Sequence, residues 1–268
     1  MTQIRIERAG KTFPAAGGKE TVAVTDVMLD IAQGEFVVIV GPSGCGKTTI
    51  LNMLAGLQSP TFGQLLLNGT PITGPGPERG VMFQDYALFP WCTVWGNIEF
   101  GLRHGPAGEG MTSEARTKRV RHYVDLVGLT GSEEKYPHQL SGGMRQRVAL
   151  ARLMANDPAV LLMDEPLAAL DAQTRLILQD ELLRIWGQDR ARGDRRTVVF
   201  ITHAIDEAVF LADRVVVMTT HPGRIKEVID VNLPRARNDA TRALPEFQAL
   251  TQHIWQSIRD EAYRATVA

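Results

Sequence analysis

The chain has 268 residues, 44% of them hydrophobic and 22% charged, a balance that supplies a full globular core. Lys+Arg 29 against Asp+Glu 30 leaves a formal net charge of -1, so there is no basic excess of the kind a nucleic-acid backbone selects, and no nucleic-acid partner is expected. Cys45 and Cys92 are too few for a disulfide framework, and no apolar run reaches the roughly 18 residues of a membrane-spanning helix. The stretch MTQIRIERAGKTF has no apolar signal core, so secretion is not expected.

In chain order, IRIE and TVAVTDVMLDI read as strands, followed by the compact apolar run Phe36 to Val40. That run does not alternate, as expected of a strand buried on both faces of a parallel sheet. A glycine-rich turn comes next, then a helix over Thr48 to Leu57 that stops near Gly56. After Phe83-Gln84 the texture becomes helical from about residue 85 to 157, broken at His104 to Gly110. Strand signals return at Val160 to Met163, Val198 to Ile201 and Val215 to Met218. Beyond Pro234, Phe247, Leu250, Ile254 and Ile258 fall at the spacing of an amphipathic helix. The expected fold is α/β with a parallel-sheet core and an inserted helical segment.

Gly41-Pro42-Ser43-Gly44-Cys45-Gly46-Lys47-Thr48-Thr49 matches the G-x-x-x-x-G-K-[ST] phosphate loop in full, between a strand and a helix. Its glycines let successive N–H groups turn inward toward phosphate oxygens, and the helix adds its positive N-terminal end. Lys47 is the candidate ligand for the β- and γ-phosphates, and Thr48 for Mg²⁺. Cys45, beside Lys47 and a helix start, is expected to have a lowered pKa and a reactive thiol protected by ATP.

Asp164-Glu165 ends the second buried strand. Alone, one of these acids would be read as a cap of the next helix. Beside a phosphate loop the stronger reading makes Asp164 a Mg²⁺ ligand and Glu165 the general base for the attacking water. Gln84 ends a short apolar strand, where its amide can serve both metal and water. His203 follows another strand, where it can contact the γ-phosphate and steady Glu165.

Leu140-Ser141-Gly142-Gly143-Met144-Arg145-Gln146-Arg147 is a second anion-binding helix start: a hydroxyl, two glycines and a favourable dipole. It resembles the signature motif of the ABC ATPase family, with Met144 where Gln is usual. The other motifs of that family are matched in order: Phe13 as the aromatic that stacks on adenine, the 41–49 loop, Gln84, Ala169-Leu170-Asp171 as the D-loop, and His203. The resemblance implies an ATPase cassette over residues 1–233, with an N-terminal antiparallel β subdomain and a helical subdomain at about 85–157. Residues 234–268 form a C-terminal extension.

It further implies ATP and Mg²⁺ as cofactors and a head-to-tail homodimer in which Ser141, Gly142 and Gly143 of one copy close on the phosphate loop of the other. An integral-membrane permease and, indirectly, an extracytoplasmic solute-binding protein complete the expected partners. The protein is then peripheral, at the cytoplasmic face of the inner membrane. Gly74 to Gly80, Leu88-Phe89-Pro90-Trp91, Val94 to Ile98 and His221 to Ile225 resemble, more narrowly, the ATPases of nitrate, sulfonate and taurine importers. By that analogy Tyr86 to Asn97 form much of the groove for the permease, with Phe89, Trp91 and Trp95 as its aromatic lining. Each of the three also fits the helical segment's own core. An exporter or lipid-extraction ATPase, and a soluble ABC ATPase, are the alternatives.

Overall fold

A computed structural model describes residues 2–14, 20–168, 170–187 and 195–267, with side chains to residue 261. Its centre is a six-stranded sheet in the order β10-β9-β3-β8-β7-β6. These strands are β3 (Phe36–Val40), β6 (Arg79–Met82), β7 (Val160–Asp164), β8 (Thr197–Ile201), β9 (Arg214–Met218) and β10 (Ile225–Asp230). All neighbours are parallel except β10, which runs antiparallel to β9. Every residue of β3, β7 and β8 is buried, which is why their sequences are continuous apolar runs.

A second sheet, β2-β1-β4-β5, is antiparallel. It comprises β1 (Thr2–Pro14), β2 (Glu20–Ala32), β4 (Phe62–Leu67) and β5 (Thr70–Pro71). It shares an apolar core with one face of the central sheet through Ile4, Ile31, Val37, Ile39 and Ile201. The other face packs against α5 (Ala172–Trp186) and α6 (Ile205–Leu211), with Trp186, Phe200 and Phe210 fully buried. Burial of such side chains stabilises by roughly 1.5–3 kcal/mol each.

The helical stretch holds α2 (Val94–His104), α3 (Ser113–Leu126) and α4 (Gly142–Ala155), with a core of its own around Ile98, Leu102, Val120, Val124 and Val148. Each helix starts on a side-chain cap: Thr93 accepts from Gly96 N, Thr112 from Ala115 N and Ser141 from Met144 N. The expected break at 104–110 contains a short 3-10 turn at Pro106–Gly108.

The C-terminal segment folds back as α7 (Asp239–Arg242) and α8 (Pro245–Val267). Phe247 and Ile254 of α8 enter the same core as Phe210, and Leu250 and Ile258 pack against it. Among the described residues no helix is long and apolar enough to cross a membrane.

Candidate functional site at the strand ends

The parallel strands place four connections along one edge of the sheet. The phosphate loop follows β3 and leads into α1 (Lys47–Leu54). Gln84 lies just past β6, Glu165 past β7 and His203 past β8. A cleft of about 380 Å³ at this edge is lined by Ser43, Gly44, Gly46, Lys47, Thr48 and Thr49 together with Ala23, Gln84, Glu165 and His203. Sequence reasoning named all of these except Ala23, which lies within β2 and carries no chemical signal.

The loop closes because Gly46, the N-cap of α1, adopts φ 91. A Cβ there would lie 2.2 Å from Val24 Cγ1, so two constraints select glycine. Lys47 Nζ donates to Gly41 O at 2.8 Å and Pro42 O at 2.9 Å, so reaching a phosphate means exchanging those bonds.

Cys45 contradicts its expected reactivity. It is 0% exposed, and burial raises its pKa, outweighing Lys47, whose Nζ lies 3.7 Å from the sulfur. Its side chain belongs to the core beneath the loop, with Ile50 and Leu51, and is no ligand-facing thiol.

The two acids of the β7 end have different surroundings. Asp164 is buried and accepts from Thr48 Oγ1 at 2.8 Å. Burial raises its pKa and Glu165 adds to the rise, while Thr48, Lys47 and His203 oppose it. A carboxylate held in that position is relieved by a hard divalent cation. Thr48 hydroxyl, Asp164 and the Gln84 amide are hard oxygen donors of the kind Mg²⁺ takes with phosphate and water. Among the described residues no cluster of three His, Cys, Asp or Glu could hold a metal by itself.

Glu165 stands at the centre of the polar set. His203 Nε2 lies 2.5 Å from its Oε1, and Gln84 Nε2 donates to its Oε2 at 3.4 Å. Its backbone has φ 48, a conformation that costs a non-glycine residue about 1–3 kcal/mol. The bond from Glu165 N to Ile201 O, 3.0 Å long, helps hold it there.

The remaining candidates lie elsewhere. Phe13 pairs with Thr21 near the end of β1, with Lys11 Nζ 5.4 Å above its ring, and does not line the cleft. Ser141, Gly142 and Gly143 open α4 in the helical segment and are not among the cleft residues either. Asp171 caps α5 by accepting from Thr174 N at 2.9 Å, which lowers its pKa. Leu170 is buried, and Ala169 lies outside the described residues.

Of the three aromatics assigned to a groove, Trp91 is 71% exposed and Phe89 lines a second cleft, of about 510 Å³. Trp95 instead packs against the helical segment's core. Phe100 and Arg152, overlooked in the sequence, also line that cleft. Arg152 donates to Tyr86 O at 2.8 Å and Ala87 O at 2.7 Å, holding two residues at φ 63 and φ 42 just past Gln84.

A family model described as "ABC transporter" matches residues 24–168. The chain belongs to this ABC transporter family. The ABC protein shares 47% identity over 266 residues with the taurine import ATP-binding protein TauB of Roseobacter denitrificans, covering 97% of this chain and 95% of the relative. It also shares 47% identity over 235 residues with the nitrate import ATP-binding protein NrtD of Synechococcus elongatus, covering 87% and 83%. Among solved structures, the ATP-binding cassette MJ0796, a dimer in a post-hydrolysis state bound to ADP and Pi, matches with TM-score 0.75 and 31% identity over 85% of this chain and 99% of that one. Such neighbours are ABC ATPase cassettes, and the parallel sheet with an antiparallel β subdomain is their fold.

Proposed function

We propose that this ABC ATPase drives an importer, two copies binding two ATP between them and hydrolysing them at the strand-end cleft. The observation that carries this is the bridging of Glu165 by His203 and Gln84 at the mouth of the phosphate loop, with Ser141 placed away from that cleft. One anion-binding helix start is a finished cradle; the other has no ligand-facing partner among the described residues of its own chain. A head-to-tail pair joins them, so that each ATP meets Phe13 and the 41–49 loop of one copy and Ser141 to Gly143 of the other. Asp171 lies at the D-loop, between the two.

Within a site, the loop N–H groups and Lys47 hold the β- and γ-phosphates. Thr48, Asp164 and Gln84 would hold Mg²⁺, which neutralises phosphate charge when bound. Glu165 takes the proton of the attacking water, while His203 keeps its carboxylate aimed and touches the γ-phosphate. Contacts from both copies favour the closed dimer while ATP is whole, and hydrolysis removes that bias.

We place the ATPase domain at residues 1–233, with residues 234–268 as its extension. The cleft of Phe89, Phe100 and Arg152 beside Gln84 is the socket for a permease helix, its apolar lining suited to a partner anchor. The import names of the taurine and nitrate relatives support uptake of a small solute. In this reading the solute is anionic and is delivered by an extracytoplasmic binding protein, and this subunit is peripheral on the cytoplasmic side.

The test is to isolate tagged Glu165→Gln protein from its own cells in mild detergent with ATP and identify what co-purifies. A polytopic permease with a solute-binding protein supports import and narrows the solute. Exclusively soluble companions would keep the ATP chemistry and remove the transport assignment.

A further inference from the structure

We propose that Arg242, in the C-terminal segment, is a positioning residue for His203, acting through the buried side chains of Gln179 and Glu207. The proposal rests on the ATPase reading above and gives the extension a part in it.

The chain of contacts begins at the site. Thr202, the residue before His203, is 4% exposed, and its hydroxyl accepts from Ala204 N at 3.1 Å. The same hydroxyl donates to Glu207 Oε2. The backbone on either side of His203 is thereby tied to one side-chain oxygen, and that oxygen to one carboxylate. Such a turn sets the direction in which the imidazole leaves the strand end.

Glu207 is 4% exposed on α6, and its other oxygen accepts from Gln179 Nε2 at 3.0 Å. Gln179, 3% exposed on α5, accepts in turn from Arg242 Nη2 through its amide oxygen at 2.6 Å. This last bond decides the orientation of the amide. A guanidinium offers only donors, so the Gln179 oxygen must face Arg242 and its NH₂ must face Glu207. Without that donor, the amide can turn and set oxygen against carboxylate, and the buried acid loses a partner.

Arg242 is itself fixed. Its guanidinium carbon lies 3.6 Å from the Phe210 ring centroid on α6, and Asp239 Oδ1 is 4.0 Å from its Nε. Burial raises the pKa of Glu207, with Thr202, Gln179, Arg175 and Arg242 opposing, so the acid depends on each of these partners. The path from α7 to His203 thus runs through named donors and acceptors. It ends at the imidazole nitrogen 2.5 Å from Glu165.

The experiment compares wild type with Arg242→Met, which keeps bulk over Phe210 and loses the donors, and with Gln179→Met, which fills the same space on α5 and cuts the path in the middle. Steady-state ATP hydrolysis gives kcat and KM. Histidine-labelled NMR follows the His203 ring, identified among the six histidines by its loss in His203→Gln. Misaiming a catalytic contact lowers the rate while leaving substrate binding in place, so kcat should fall about tenfold with KM within about twofold.

The His203 resonance should move in both variants. A scaffold role would lower thermal stability without touching that resonance. Wild-type kcat and an unshifted His203 in either folded variant would overturn the proposal, and Gln179→Met decides it should Arg242→Met not fold. Failure of the underlying reading is separate: wild type without ATP turnover, or Glu165→Gln with full turnover, removes both.

Discussion

Two helix N-termini in this molecule carry glycines and a hydroxyl, and they differ in completeness as anion sites. At α1 the chain curls around the site: Gly46 is locked by a positive φ and by Val24, Lys47 lies inside, and Asp164, Glu165 and His203 converge from other strands. At α4 there is a serine cap and two glycines, exposed or half-buried, with Met144 spending its N–H on Ser141. A dipole and free N–H groups alone make a weak anion site. The comparison teaches how much a complete site needs beyond a helix start; in the proposed head-to-tail dimer, a second copy supplies what α4 lacks.

The strongest way to break that comparison is to remove the proposed base. Glu165→Gln should lower kcat by about 10²- to 10⁴-fold, the range of general-base contributions. The variant should still bind ATP and run as a closed dimer in light scattering. Hydrolysis within a few-fold of wild type would take Glu165 out of the role.

A mixing experiment sharpens the division of labour. Ser141→Arg and Glu165→Gln should each be inactive alone. In a mixed dimer, one site pairs the intact Glu165 of one copy with the intact Ser141 of the other. Random pairing then restores up to about a quarter of wild-type activity, since half the dimers are mixed and half their sites are whole. No gain over the separate proteins would place both residues in one copy's site.

A smaller effect concerns Cys45. Buried, with its pKa raised, it should react with maleimide several-fold more slowly than the half-buried Cys92, and ATP should change its rate little. Cys45 labelling first, with ATP protection, would restore the exposed-thiol picture.

The smallest effect is the pH dependence of Glu207. Its folded pKa lies above the ordinary 4.5, so its contribution to stability is present below that value and fades as pH rises through the folded pKa. Thermal melts of Glu207→Gln should lack this decline, and parallel wild-type and variant curves across that window would show that the carboxyl is not strained by burial.

Much of the site was legible because its chemistry is sequential. The phosphate loop needs glycines, a lysine and a hydroxyl within nine residues. Asp164-Glu165 and His203 announce themselves by following buried strands. The helical periodicities of α3, α4 and α8 likewise follow from which positions must be apolar. Cys45 was misread because a neighbouring lysine and a helix start are visible in sequence, whereas the desolvation that outweighs them comes from burial in a core assembled from α1 and several strands. For a similar reason the sequence could not decide that Trp95 packs on the helical core while Phe100 lines the second cleft: which side of α2 faces that core is settled by α3 and α4.

By itself, then, the sequence determined the local devices: two helix starts with glycines and a hydroxyl, the acids and amide that can serve phosphate chemistry, and the apolar runs of a parallel sheet. The tertiary structure decided their company. Strand order β3-β8-β7-β6 brings Lys47, His203, Glu165 and Gln84 to one cleft, and it leaves Ser141 outside. It also ties the C-terminal Arg242 to the turn that carries His203. These juxtapositions arise from burying both faces of the sheet at once, a long-range condition that no short stretch of residues encodes.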